Sequence, residues 1–274
     1  ELCVKSQGGR CFFYRNRRQA DSAHLLIVNH ALLLSDVAAG NQVLPAYRHL
    51  VVDEAHHLED ATTQQLSFSA SQPGLERMLN DVYPDGGDGR GGIVHDVRRR
   101  LEKAGLMPTV RQEMDRYLLA VQRSNEHARD LLRQFFNVLA EFLAADQAVV
   151  GPYGLRVRLE RKVRTQPGYT QVEIAWDTLA GPLYDLSQAL NTLRQGLAEL
   201  NDSGAPGLED LTADTGSLAE QFSQAYTQMH AAISQPDENG IYWAEVNGTE
   251  RTLSLHMAPL HVGPLVEQHL FMTK

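Results

Sequence analysis

Several features are scarce in this sequence, and each scarcity narrows its class. It holds two cysteines in 274 residues, Cys3 and Cys11. That argues against a disulfide framework and for a reducing, cytoplasmic compartment. It also rules out a four-cysteine cluster built from this chain alone. No apolar run approaches the ~20 residues needed to cross a bilayer, so no membrane partner is expected. Residues 1–22 lack the pattern of a signal peptide. No Gly-Lys-Thr or Gly-Lys-Ser occurs, so the chain has no P-loop to hold the β- and γ-phosphates of a nucleotide. Basic charge is also short: 25 Lys and Arg stand against 34 Asp and Glu, a formal net charge of −9. This argues against a polyanion binder over the whole surface but leaves room for a local basic groove.

What remains is ordinary for a soluble globular chain, at 43% hydrophobic and 22% charged residues. The length suits one large domain or two ordinary ones. The chain opens on Glu1 rather than Met, which predicts a piece of something longer.

One stretch, residues 48–59, organises the rest. Leu50, Val51 and Val52 form a short apolar run that reads as a buried strand. Asp53 and Glu54 follow where that strand would end, and in open α/β sheets that edge is where ligands bind. With Ala55 and His56 they spell the DEAH form of the Walker B motif. An acid there can hold Mg²⁺, and its neighbour can orient or deprotonate an attacking water. The plainer reading is a solvated turn that happens to contain Asp-Glu.

Upstream, residues 1–22 form a basic patch in which Cys3 and Cys11 bracket Gly8-Gly9. The two cysteines read either as unpaired thiols or as half of a four-thiolate cluster. Residues 23–34 read as a buried strand entering a short helix, with Asn29 as its cap. Gly40, Asn41 and Pro45 make the loop before Leu50. Strand, short helix and strand is the rhythm of a parallel α/β core.

Downstream the periodicity changes. From about 67 to 240 the chain reads as mostly helical. Residues 92–106 form one amphipathic helix. Thr109 to about Gln147 forms a helix of ~37 residues, with Met114, Leu118, Val121, Leu132, Phe135 and Leu139 in its stripe. Ser124-Asn125 predicts a bend or break in it. Leu155, Val157 and Leu159 alternate with Arg156, Arg158 and Glu160 as a half-exposed strand, and Gln171–Ile174 is its expected partner. Residues 176–200 and 208–234 return to helix. Residues 241–246 and 252–256 flank Asn247-Gly248 as a hairpin, and a last helix begins at Pro264.

In this order, Val28-Asn29-His30-Ala31-Leu32-Leu33-Leu34, then Val51-Val52-Asp53-Glu54-Ala55-His56, then a helical insertion, then Leu255-His256-Met257-Ala258-Pro259-Leu260, the sequence resembles the DinG/XPD family of superfamily 2 iron–sulfur DNA helicases. The resemblance covers the whole chain but only part of such an enzyme. It implies an α/β core remnant, with parallel strands of a RecA-like motor domain. A large, mostly α-helical arch insertion with a small β element would interrupt that core. It divides the chain into the end of an iron–sulfur domain (1–22), part of motor domain 1 with the DEAH box (23–66), the arch (67–240) and a return to motor domain 1 (241–274). It implies Asp53 as the Mg²⁺ residue and Glu54 as the water residue. His56 would be the coupling residue between nucleotide and DNA. Cys3 and Cys11 would be ligands of a [4Fe–4S] cluster, and since only two thiolates are present, either the missing ligands lie upstream or this branch has lost the cluster. Expected partners are ATP and single-stranded or forked DNA. The expected activity is ATP-dependent 5′–3′ translocation in repair or replication, with the isolated chain inactive.

Two other readings stand beside this one. The chain could be a non-enzymatic helical module for protein or DNA interaction. A metallohydrolase using His30, Asp53, His56 and His57 is the weakest, because no His-Glu-x-x-His or comparable ligand spacing occurs.

Overall fold

The structure, a computed structural model, describes residue 16 and residues 19–38, 43–86, 91–145, 154–205, 207–247, 252–267 and 270. Cys3 and Cys11 lie outside the described residues, as does Gly248 of the expected hairpin turn. The chain falls into two compact units: Glu1–Phe68 with Glu238–Ile241 and Met257–Lys274, and Ser69–Asp237 with Tyr242–His256.

In the first unit, Asn29 starts helix α1 (His30–Ala38), its Oδ1 accepting from the Leu32 N–H at 2.8 Å. Short polar side chains cap in this way because the first turn of a helix leaves its N–H groups unpaired. Leu33 and Leu34 are buried against Leu270, with Val28, Leu44, Leu50, Leu58 and Val266 packed around them. Asp36 is only 1% exposed. Its carboxylate is satisfied there by the N–H groups of Val43 at 2.8 Å and Leu44 at 2.9 Å. A 3₁₀ turn, Ala55–His57, leads into α2 (Leu58–Leu66).

Residues 25–28 and 50–52 form no strand among the described residues. Leu25, Ile27 and Val51 are 78%, 90% and 91% exposed, against the expectation of buried strands. The period of two survives, since Val28 and Leu50 turn inward beside exposed neighbours. The ladder is missing, because a strand needs a partner that its own residues do not supply.

The sheet that does form is antiparallel and lies elsewhere. It comprises β1 (Phe68–Ser71), β2 (Leu155–Arg158), β3 (Gly240–Val246) and β4 (Leu253–Pro259), in the order β1-β4-β3-β2. β2 pairs with β3 so that Arg156 faces Glu245 and Arg158 faces Trp243. The expected partner of β2, Gln171–Ile174, belongs instead to a helix. Val172 and Trp176 are both buried, one helical turn apart, and continue that helix's apolar stripe.

The second unit is dominated by helices: α3 (Gln72–Val82), α4 (Gly92–Lys103), α5 (Pro108–Ala145), α6 (Arg161–Arg164), α7 (Tyr169–Asp202) and α8 (Glu209–Ile233). Phe135 of α5 meets Trp176 of α7 edge-on at 6.0 Å. Leu179, Leu183, Leu186, Leu190, Leu193 and Leu197 of α7 are all buried. The expected break at Ser124-Asn125 does not occur, and α5 runs unbroken for 38 residues. Asn125 is buried because its Nδ2 donates to the Tyr83 carbonyl at 3.1 Å, beside Arg129 Nη2 at 2.7 Å on the same oxygen. A polar residue in an apolar stripe here marks a tertiary hydrogen bond rather than a bend.

Candidate functional site

Asp53 and Glu54 follow the apolar run 50–52 and are both exposed. Glu54 has φ 47° and ψ 45°, the one left-handed non-glycine residue among the described residues. That conformation costs about 1 kcal/mol or more in an ordinary residue and is held by its surroundings. Three contacts do so here. The Glu54 N–H donates to Asp53 Oδ1 at 2.9 Å. The Glu54 carbonyl accepts from the His57 N–H at 2.9 Å, closing the 3₁₀ turn. His30 Nε2 lies 3.0 Å from the Asp53 carbonyl oxygen. The carbonyl can only accept, so the His30 proton sits on Nε2.

The chain thus reverses sharply after Val52 and turns two adjacent carboxylates to solvent. His56 Nδ1 stands 3.3 Å from Glu54 Oε2, with both side chains 67% exposed. The His56 and His57 rings are 3.9 Å apart at the centroids. Of the residues singled out in the sequence, the structure therefore brings together His30, Asp53, Glu54, His56 and His57. The link from His30 to Asp53 spans 23 residues, and no local pattern announces it.

The donor set suits a hard cation. Carboxylate oxygens are the ligands magnesium prefers, and Asp53 is exposed and uses Oδ1 internally. His30 is less suited to bind metal, since its Nε2 is engaged on a backbone carbonyl. Among the described residues, no three or more His, Cys, Asp or Glu side chains are gathered to hold a metal ion. Among the same residues, no helix is long and apolar enough to cross a membrane.

Residues 3–75 match the family described as DEAD_2. Over 272 residues, 96% of the chain, it is 23% identical to a Bacillus subtilis protein named 3'-5' exonuclease DinG, of which the match covers 27%. Over 56 residues, 20% of the chain, it is 50% identical to the ATP-dependent helicase DinG of Mycobacterium tuberculosis, covering 8% of that protein. Over 75 residues, 26% of the chain, it is 37% identical to the ATP-dependent DNA helicase DinG of Photobacterium profundum, covering 11% of it. The chain therefore spans at most about a quarter of the length of these relatives.

Proposed function

We propose that this chain, DinG/XPD-like in sequence, carries the Walker B tip of an ATP-driven DNA helicase together with that enzyme's helical arch. The observation that carries the reading is the pair Asp53-Glu54, presented to solvent on a reversed backbone that His30 holds at the Asp53 carbonyl. Asp53 holds the magnesium of the nucleotide, through its charged oxygen. Magnesium held there would supply positive charge to the phosphates. Glu54 orients the attacking water and takes its proton. His56, beside Glu54, couples the nucleotide site to DNA.

On this reading, residues 23–66 and 241–274 belong to one motor domain, whose parallel sheet is completed by a longer protein, and residues 67–240 are the arch. The exposed Leu25, Ile27 and Val51 support the first part, because runs apolar on both faces suit parallel strands covered on both sides. The longer protein moves 5′–3′ on single-stranded or forked DNA in the cytoplasm, in repair or replication. Cys3 and Cys11 supply two ligands of its [4Fe–4S] cluster, and the remaining thiolates come from other residues. This chain alone, with no P-loop lysine, leaves ATP intact.

The test uses the longer protein with Asp53→Asn and His56→Ala. Asp53→Asn should weaken magnesium–nucleotide binding. His56→Ala should spare basal ATP turnover and lower its stimulation by single-stranded DNA. Wild-type nucleotide affinity in Asp53→Asn, with wild-type stimulation in His56→Ala, would leave the helical interaction module as the better reading.

A further inference from the structure

The outer face of the small sheet carries an arrangement that the motor chemistry does not use. Along β3, Tyr242 and Ala244 point into the core, so Trp243 and Glu245 point outward. Arg156 and Arg158 of β2 stand directly opposite Glu245 and Trp243 on the same face. From β4, His256 joins them, its ring stacked on Trp243 at 5.1 Å and 7°. The Arg156 guanidinium lies 5.6 Å from the Trp243 ring centroid. Glu245 holds it there by accepting from Nε at 3.0 Å and from Nη2 at 2.8 Å.

Three flat groups from three neighbouring strands therefore stand in a row, with Arg156 exposed and Trp243 and His256 half-buried. The row is electrically suited to a polyanion that also carries rings. Burial holds the His256 ring below its ordinary pKa, against the pull of Glu245, so at neutral pH it stacks as an uncharged ring. Burial pushes the Glu245 carboxyl up, but the Arg156 hydrogen bonds and charge outweigh it and keep Glu245 ionised. Residues 156–164 hold five basic residues and one acid in a chain of net charge −9. Arg164 faces inward, while Arg156, Arg158, Arg161 and Lys162 are exposed. The pairs Arg156–Glu245 and Arg158–Glu160 are exposed ion pairs of 2.8 and 3.2 Å. Exposed pairs of this kind hold weakly in water, so a phosphate can draw either guanidinium away.

We propose that this face binds single-stranded nucleic acid, with Trp243 and His256 as the stacking platform and Arg156 and Arg158 as the phosphate contacts. Sequence-tolerant single-strand sites combine these two elements, aromatic rings for the bases and a basic track for the backbone. An acidic peptide would satisfy the arginines and leave the rings without a role. The inference rests on the reading above only for the identity of the strand as DNA.

The test uses the 274-residue chain and a 15-nucleotide oligothymidylate. The chain has two tryptophans, and Trp176 is fully buried. Quenching by the oligonucleotide therefore reports on Trp243. Saturable quenching is expected, with no quenching by inorganic polyphosphate of similar charge. Anisotropy of a labelled oligonucleotide should show binding weakened about tenfold by Trp243→Leu and by Arg158→Glu. The buried emission of Trp176 checks that each variant is folded. Absent quenching, equal quenching by polyphosphate, or unchanged binding in both folded variants would overturn the proposal. None of these results bears on Glu54, whose role is read from ATP turnover, so each proposal can fail without the other.

Discussion

Replacing Arg164 with methionine removes the side chain that closes the end of α8. Ala232 would ordinarily accept from the N–H four residues on, but that residue is Pro236, which has none. The N–H of Asp237, the ordinary donor to Ile233, instead donates to the Tyr242 hydroxyl at 3.1 Å. Arg164 fills both vacancies, with Nη2 donating to the Ala232 carbonyl at 2.7 Å and Nη1 to the Ile233 carbonyl at 2.5 Å. Its Nε donates to the Leu159 carbonyl at 2.9 Å, and Nη1 also reaches the Tyr169 hydroxyl at 2.8 Å. One guanidinium thus joins the end of β2, the start of α7 and the end of α8. In Arg164→Met the Ile233 carbonyl keeps the Tyr169 hydroxyl at 3.0 Å. Ala232 and Leu159 lose charge-assisted partners worth about 1.5 kcal/mol each. The expected loss is about 3 kcal/mol, or roughly 6–12 °C in Tm for a unit of this size. Arg164→Lys keeps the charge without the fork, and about 2 kcal/mol should go. Both tryptophans belong to this unit, so guanidinium unfolding followed by tryptophan fluorescence reads it separately from the rest. A loss below about 0.5 kcal/mol in Arg164→Met, the range of an ordinary surface change, would refute the reasoning.

Burial pushes the Tyr169 phenol up to about 12, against the opposing charge of Arg164. An unfolded tyrosine ionises near pH 10, so this contribution to stability is complete below about pH 10 and is lost as pH rises towards 12, at about 1.4 kcal/mol per unit. Denaturation midpoints measured across that window should fall less steeply in Tyr169→Phe than in the wild type. His30→Ala removes the hydrogen bond to the Asp53 carbonyl, worth about 1 kcal/mol, and should lower ATP turnover of the longer protein about fivefold. His30→Gln, which keeps an N–H donor, should recover part of that loss, and equal turnover in all three proteins would remove the bracing role of His30.

The long helices were legible because their signal is repeated. Met114, Leu118, Val121, Leu132, Phe135 and Leu139 recur along α5, and all six are buried. Short alternations carried less information. Leu155–Arg158 became a strand and Gln171–Ile174 a helix, although both alternate over four residues. What separates them is the buried stripe running from Tyr169 and Val172 to Trp176. The apolar runs at 25–28 and 50–52 read as buried strands, but strand pairing is non-local and cannot be read from the run itself. Asn125 looked like a helix break because its partner, Tyr83, lies 42 residues away. At the candidate site, the adjacency of Asp53, Glu54 and His56 was legible because it is local. The left-handed turn at Glu54 and the His30 brace were not, since one depends on backbone context and the other on tertiary contact.

The most direct test of the motor reading is Glu54→Gln in the longer protein, with ATP turnover and ATP binding measured side by side. The amide keeps the size of the side chain and still hydrogen-bonds water, but it lacks the charge that takes the proton. The account predicts turnover reduced by at least about a hundredfold, with ATP and DNA affinities close to wild type. Wild-type turnover in a folded Glu54→Gln protein would contradict it.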